Sequence, residues 1–399
     1  KGACPNCGAP DQYGDGCEKC GKVHAPEDLT DPRCVVCGSA PSKKKVEHVF
    51  FKLSAFRPFL ESFLETASLQ SDVIGYVKNW LSDLKEWDIT RDGPYFGIPI
   101  PSRENQFFYV WFDAPIGYVA AVQNWCAANK QAVSDWWSSE NRIVHFIGKD
   151  IVYHHYLFWP AMLHAAGYAL PTDVPTRGFL NVQGEKMSKS RGTFILVRDV
   201  LDKFPADALR YYLCAITPNN TTDGNFSWKD FQAKTNSELI GAYGNFVYRC
   251  LSFIQKKGGV VPALGPLSDA DAVFAGAIEA FAGPVAADLE NVGVKEALEK
   301  IMAFANVCNK YFNDRAPWKI TDEKELGTVL HLSAKAAFAL ALALWPFLPF
   351  SSETVFRQFG VAPKGWADYS PFKEGLVLTD VKPLFGRIED ERLPAPAKA

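Results

Sequence analysis

The sequence predicts an α/β fold flanked by a small cysteine-rich module and a helical bundle. Six of the ten cysteines crowd into the first 37 residues. Two apolar runs, residues 107–112 (FFYVWF) and 143–147 (IVHFI), are each followed by a helix-forming stretch. From about residue 206 onward, apolar residues recur at three- and four-residue spacing. Alternating strand and helix predicts a parallel sheet with ligands at the carboxyl ends of its strands. The later spacing predicts helices that each bury one stripe against their neighbours.

Bulk properties narrow the class. A chain of 399 residues, 48% hydrophobic and 22% charged, is globular and long enough for several cores. Lys+Arg number 42 against Asp+Glu 45, so net charge gives no footprint for a polyanion, and any nucleic-acid contact must be local. The longest apolar stretch, residues 336–350, is 15 residues long and interrupted by Pro346 and Pro349. A membrane span needs about 20, so no membrane partner is expected. With no secretory leader at its start, the chain is expected to be cytoplasmic.

Cys4, Cys7, Cys17 and Cys20 form C-x2-C-x9-C-x2-C, and Cys34-x2-Cys37 adds a third pair. In each pair a tight turn aims two thiolates at one point, the arrangement of a tetrahedral Zn²⁺ site. Gly8, Gly21 and Gly38 follow the second cysteine of each pair and permit the turn. Cys126, Cys214, Cys250 and Cys308 are isolated in apolar surroundings, which fits reduced thiols and argues against a disulfide framework. Four thiolates leave no open position, so the zinc of Cys4, Cys7, Cys17 and Cys20 is expected to be structural. Cys34 and Cys37 would bind a second zinc with another pair, or compete with Cys17 and Cys20.

Along the chain, residues 1–45 are the cysteine module, closed by three lysines that read as a solvated turn. Residues 46–100 mix a short β run with helices around 56–64 and 73–84. Residues 101–175 hold the two apolar strands, with Asp113-Ala114-Pro115 and Gly148-Lys149-Asp150 at their carboxyl ends. Residues 176–230 carry a further strand at 179–182 and a basic loop. Residues 231–365 are the helical bundle, with Val294, Leu298, Ile301, Ala305, Cys308 and Phe312 on one stripe. Residues 366–399 are expected to be a tail.

Residues 186–190 spell KMSKS. Two lysines flanked by serines after a strand and a glycine make a polar loop able to neutralise charge on a departing pyrophosphate. Such stabilisation is worth about 3–4 kcal/mol per well-placed group. The loop resembles the second signature of class I aminoacyl-tRNA synthetases and occupies the same junction between nucleotide fold and helical domain. Residues 109–118 (YVWFDAPIGY) and 146–153 (FIGKDIVY), with His155, Phe158 and Trp159, resemble methionyl-tRNA synthetases in particular, as does the cysteine knuckle.

That resemblance implies the second half of a Rossmann-like parallel sheet, a zinc-knuckle insertion and an α-helical anticodon-binding domain. It implies ATP-dependent activation of L-methionine and transfer to tRNA(Met), with Mg²⁺ accompanying ATP. Trp111, Ala114, Pro115, Tyr118, His155 and Trp159 would line the methionine pocket, where aromatic rings suit a polarizable thioether. Gly148, Asp150, Leu180 and Lys189 would hold ATP, with Lys186 and Lys189 as the catalytic cations of the loop. Asn245, Arg249 and Trp318 would read the anticodon, offering base-edge hydrogen bonds and a stacking platform. The family's first signature, of the His-Ile-Gly-His type, is absent before residue 100. The first half of the nucleotide fold is therefore expected to lie outside these residues, leaving them an incomplete active site. The rival readings are a non-catalytic tRNA-binding remnant and a class I synthetase for another apolar amino acid.

Overall fold

The computed structural model describes the chain except residues 15, 16, 18, 21, 23, 44, 188–192, 367 and 394–399. The chain divides into two compact units, Lys1–Lys52 with Glu86–Asp113, and Leu53–Lys85 with Ala114–Ala399.

In the first unit the cysteine pairs form repeated turns. Cys4 N–H donates to the Ala9 carbonyl (2.9 Å) and Gly8 N–H to the Cys4 carbonyl (3.0 Å). The same two bonds recur from Cys34 to Ser39 (2.9 Å) and from Gly38 to Cys34 (2.9 Å). Gly8 and Gly38 have φ of 69° and 72°, the left-handed region in which a side chain is strained. Two short antiparallel ribbons follow, Phe50–Phe51 with Trp87–Asp88 and Thr90–Asp92 with Gln106–Phe108. His48 ties them, its Nδ1 lying 2.8 Å from Asp88 and its Nε2 3.3 Å from Asp92. Burial opposes its charge, but the two carboxylates prevail and raise its pKa.

One expectation fails here. Residues 107–112 do not form a buried parallel strand. Gln106–Phe108 pairs antiparallel, and the chain turns into the one-turn helix Val110–Asp113. An aromatic run satisfies a half-buried ribbon as well as a central strand, and periodicity does not separate the two. The Arg91 guanidinium covers Tyr109 at 3.7 Å, a contact suited to a ribbon face open to a charged side chain.

The second unit opens with the helices Arg57–Thr66 and Ser71–Ser82, close to where the sequence places them. Its parallel pairing is real but short: Ile147–Gly148 lies beside Thr176–Arg177, and Val144 bridges Asp173 in parallel. Leu180–Val182 pairs parallel with Gly224–Phe226 and antiparallel with Glu185–Lys186. Arg142 clamps Asp173 through two bonds of 2.9 Å, anchoring the strand entry.

From Ala206 the unit is helical. Helices Ala206–Ile216, Asn245–Lys256, Val294–Arg315, Glu323–Leu344 and Pro349–Phe359 enclose one continuous core. Asp269–Glu290 and Glu323–Leu344 are both long and apolar enough to cross a membrane, but the apolar window of the second is 89% buried, as in a central core helix. The turns Thr235–Gly244 widen to π geometry, which displaces the regular ladder. Asn309 adds a bond across helices by donating to the Ala242 carbonyl (2.7 Å), which also accepts from the Asn245 amide. Residues 366–393 are not the loose tail expected. Leu378 and Ile388 are buried, and the Ile388 backbone exchanges bonds with the Asn236 side chain (2.9 and 2.8 Å). Trp366, Phe372, Leu376, Leu384 and Phe385 pack against the same core, so a series of apolar side chains docks the segment. Residues 394–399 lie outside the described residues.

A buried acid locks the start of Asp269–Ala280. Asp271 accepts from the Ser268 amide and hydroxyl (3.0 and 2.7 Å) and from Tyr311 (2.7 Å), and pairs with Arg315 (3.0 Å). Burial raises its pKa, but these partners outweigh that and hold the carboxylate below its usual value. Asp271→Ala removes a capping box, deprives Tyr311 of its acceptor and leaves Arg315 with Glu325 alone. Its unfolding free energy is expected to fall by about 3 kcal/mol, read as a lower urea midpoint with unchanged slope.

Candidate functional site

The residues expected around a side-chain pocket converge in the second unit through one widened helical turn. The segment His154–Phe158 is π-helical and runs into the helix Trp159–Ala166. His155 and Trp159, one turn apart, are 1% and 2% exposed. Ala114 and Pro115 start the helix Ile116–Asn129, which carries Tyr118 into contact with both.

Hydrogen-bond chemistry fixes the protons here. His155 Nδ1 lies 3.0 Å from the Ile151 carbonyl, which only accepts, so Nδ1 carries the proton. Burial lowers the His155 pKa, partly offset by the Ile151 carbonyl and the Asp150 charge, and the ring is neutral near pH 7. Its Nε2 is then an acceptor, and the Tyr118 hydroxyl 2.9 Å away donates to it. The Tyr118 oxygen keeps its lone pairs for a further donor or a polarizable group. Burial also raises the Tyr118 pKa, so the phenol stays protonated.

Sequence reasoning missed His145 in the middle of its apolar run. Trp159 Nε1–H donates to His145 Nε2 (3.2 Å), and the His145 ring stacks on Tyr118 at 4.6 Å. A single histidine in a strand carries no sequence signal; only the fold brings it against two of the aromatics. His154 packs its ring against Tyr153 and Phe158. Burial and the nearby His155 push both His145 and His154 down to about 4.

At the carboxyl end of Ile147–Gly148, Gly148 permits a close return of the chain: a Cβ there would meet Asp150 Oδ1 at 2.6 Å. Asp150 is exposed. Next to it Lys149 pairs with Asp223 (2.6 Å), which also accepts from the Phe179 amide (2.7 Å). Lys149 and Lys186 both lie over the Phe179 ring, at 4.9 and 5.4 Å. Half-buried Leu180 follows on the parallel strand. Lys186 therefore joins this cluster, whereas Lys189 lies outside the described residues. Trp111 belongs to the first unit, half-buried in Val110–Asp113.

Farther along the second unit, Arg249 and Trp318 meet. Arg249 lies 5.9 Å over the Trp318 ring and 5.3 Å over Phe312, and donates to Asn313 (2.7 Å). With Ser252, Phe253 and Lys256 they line a cavity of about 350 Å³. Trp318 is 51% exposed, leaving a ring free to stack. Asn245 is exposed one turn earlier on the helix of Arg249. Lys256 and Asn313 escaped the sequence reading, which placed Phe312 on a core stripe and not at this surface.

In the first unit Cys4, Cys7, Cys17 and Cys20 bring their sulfurs within 4.8 Å of one another. Cys4–Cys20 and Cys7–Cys17 are 3.9 and 3.6 Å apart. Four sulfurs about 2.3 Å from a tetrahedral ion stand about 3.8 Å from each other, so the geometry fits. The Asn6 and Cys20 amides point at Cys4 and Cys17 sulfur (3.4 Å each), the usual second layer of support. Cys34 and Cys37 are exposed and outside this cluster.

A profile of tRNA synthetases class I (M) matches residues 1–251. The chain belongs to that family. It is 41% identical over 406 residues to a methionine–tRNA ligase of Methanopyrus kandleri, covering 98% of this chain and 60% of the relative. It is 39% identical over 416 residues to one of Myxococcus xanthus, covering 99% of this chain and 58% of the relative. The chain thus spans about three fifths of the length of these curated relatives. Among solved structures, it resembles Mycobacterium tuberculosis methionyl-tRNA synthetase in complex with methionyl-adenylate. That likeness has a TM-score of 0.79 at 27% identity and covers 89% of this chain and 72% of the other.

Metal analysis of the purified protein is expected to return one zinc per chain held by the four clustered cysteines. Cys17→Ser should lose it, while Cys34→Ser should retain it. Retention in Cys17→Ser would place the ion elsewhere.

Proposed function

We propose that the protein carrying this chain activates L-methionine with ATP and transfers it to tRNA(Met). The observation that carries the reading is the neutral Tyr118–His155–Trp159 cluster, with imidazole and indole buried and the phenol partly exposed, in a member of the class I (M) family. It offers a thioether two aromatic faces and a hydroxyl, a better match than an aliphatic side chain needs. The relatives' names, and the methionyl-adenylate held by the similar structure, agree with it.

In this reading Ala114, Pro115, Tyr118, His155 and Trp159 surround the methionine side chain. Gly148, Asp150 and Leu180 border the adenosine, where a glycine allows close backbone approach and a carboxylate accepts from ribose hydroxyls. A methionine carboxylate oxygen bonds to the α-phosphorus, the bond to pyrophosphate breaks, and Lys186 and Lys189 balance the charge that leaves. The 3′-terminal adenosine hydroxyl of the tRNA then takes the methionyl group and AMP departs. These residues supply position and charge, and no side-chain nucleophile is required. Mg²⁺ bound with ATP would screen the phosphates. The zinc of Cys4, Cys7, Cys17 and Cys20 would be structural, since its four thiolates fill the coordination sphere. Arg249, Trp318 and Asn245 would form the anticodon surface, with Trp318 as the stacking platform.

Amino-acid-dependent ATP–pyrophosphate exchange, run with each of the twenty amino acids, is expected to respond to methionine alone. Lys189→Ala should cut the exchange rate by about 10²–10³. Exchange with a different apolar amino acid would overturn the substrate. No exchange with any amino acid, with tRNA binding retained, would mark a binding-only remnant.

A further inference from the structure

His145 is buried and reaches the proposed pocket through three of its residues. Its Nε2 accepts from Trp159 Nε1–H (3.2 Å), its face stacks on Tyr118 (4.6 Å between centroids, 25° between planes), and it meets His155 edge-on (6.2 Å). Trp137 closes another side at 6.1 Å, with its own N–H on the Ala169 carbonyl (3.1 Å). The His145 amide donates to the Asp173 carbonyl (3.0 Å), and the Asp173 side chain is gripped by Arg142. The ring is therefore fixed from its backbone outward.

Trp159 is 2% exposed, and a buried indole N–H without an acceptor is costly. An imidazolium would have no lone pair to offer it, so the bond requires a neutral ring with the proton on Nδ1. Burial and the neighbouring His155 supply that state by pushing the His145 pKa to about 4.

We propose that His145 is a positioning residue for methionine selectivity, holding the Trp159 indole by its N–H and the Tyr118 phenol by its face without touching the substrate. The inference rests on the methionine reading of this pocket. It assigns to one residue just before the strand Ile147–Gly148 the orientation of two rings that come from different helices.

Two substitutions separate the roles. His145→Phe keeps an aromatic face and removes the acceptor, and His145→Gln keeps an acceptor and removes the ring. His145→Phe is expected to raise KM for methionine about tenfold, the loss anticipated for a stranded buried donor. KM for ATP should stay within about twofold, because only one substrate's pocket is disturbed. Discrimination against norleucine, which replaces sulfur by methylene, should fall in the same variant, and His145→Gln should recover most of the methionine KM. The Trp159 indole N–H resonance, assigned with Trp159→Phe, is read on the same proteins without substrate. It should shift upfield in His145→Phe and stay near its place in His145→Gln.

An unmoved resonance, or equal rises in KM for methionine and ATP, would overturn the proposal. So would a moved resonance with an unchanged methionine KM. If the unsubstituted protein gives no methionine-dependent exchange while the resonance still moves, the methionine reading fails and the substrate role falls with it, leaving only the hydrogen bond.

Discussion

A backbone carbonyl can only accept a hydrogen bond, and that constraint at Ile151 orders the candidate site. It sets the His155 tautomer, which makes Nε2 an acceptor, which in turn points the Tyr118 hydroxyl hydrogen inward. The phenol oxygen is left with lone pairs and its ring with a free edge. None of this survives protonation of His155, so the burial that keeps the ring neutral is as necessary as the bond itself. The π turn at His154–Phe158 puts the imidazole within reach of a carbonyl on its own helix while facing a second helix.

A second π segment lies in the helical region at Thr235–Gly244, where Asn309 of the neighbouring helix donates to the Ala242 carbonyl alongside the Asn245 amide. Each π segment sits beside a candidate binding surface. Asn245, Arg249 and the Trp318 platform follow directly on the second. Between them the Lys149–Asp223 pair joins the end of one parallel strand to the loop before another. Lys186, at the end of the strand Glu185–Lys186, lies over the same Phe179 ring as Lys149.

Much of this was legible in the residues, for reasons that differ by element. Cysteine spacing spells out knuckles because two residues between thiols leave one compact turn, and the sulfurs of Cys4, Cys7, Cys17 and Cys20 do converge. The stripe from Val294 to Phe312 announced its helix because a long period repeats many times. Residues 107–112 misled because a short aromatic run has too few turns of any period to choose between strand and ribbon. Leu378 and Ile388 were passed over because the apolar residues of this segment recur with neither a helix nor a strand period, although several of them pack against the core. His145 was invisible for a deeper reason. Its importance lies in what crosses from other elements, and a sequence records neighbours along the chain, not across it.

The most direct test is the protonation state of His155, read from the ¹⁵N shifts and long-range ring couplings of imidazole-labelled protein at neutral pH. A neutral ring protonated on Nδ1 is expected, becoming an imidazolium only at a pH below the ordinary histidine range. An imidazolium, or a neutral ring protonated on Nε2, would reverse the Tyr118 hydrogen bond and contradict the arrangement of the whole pocket.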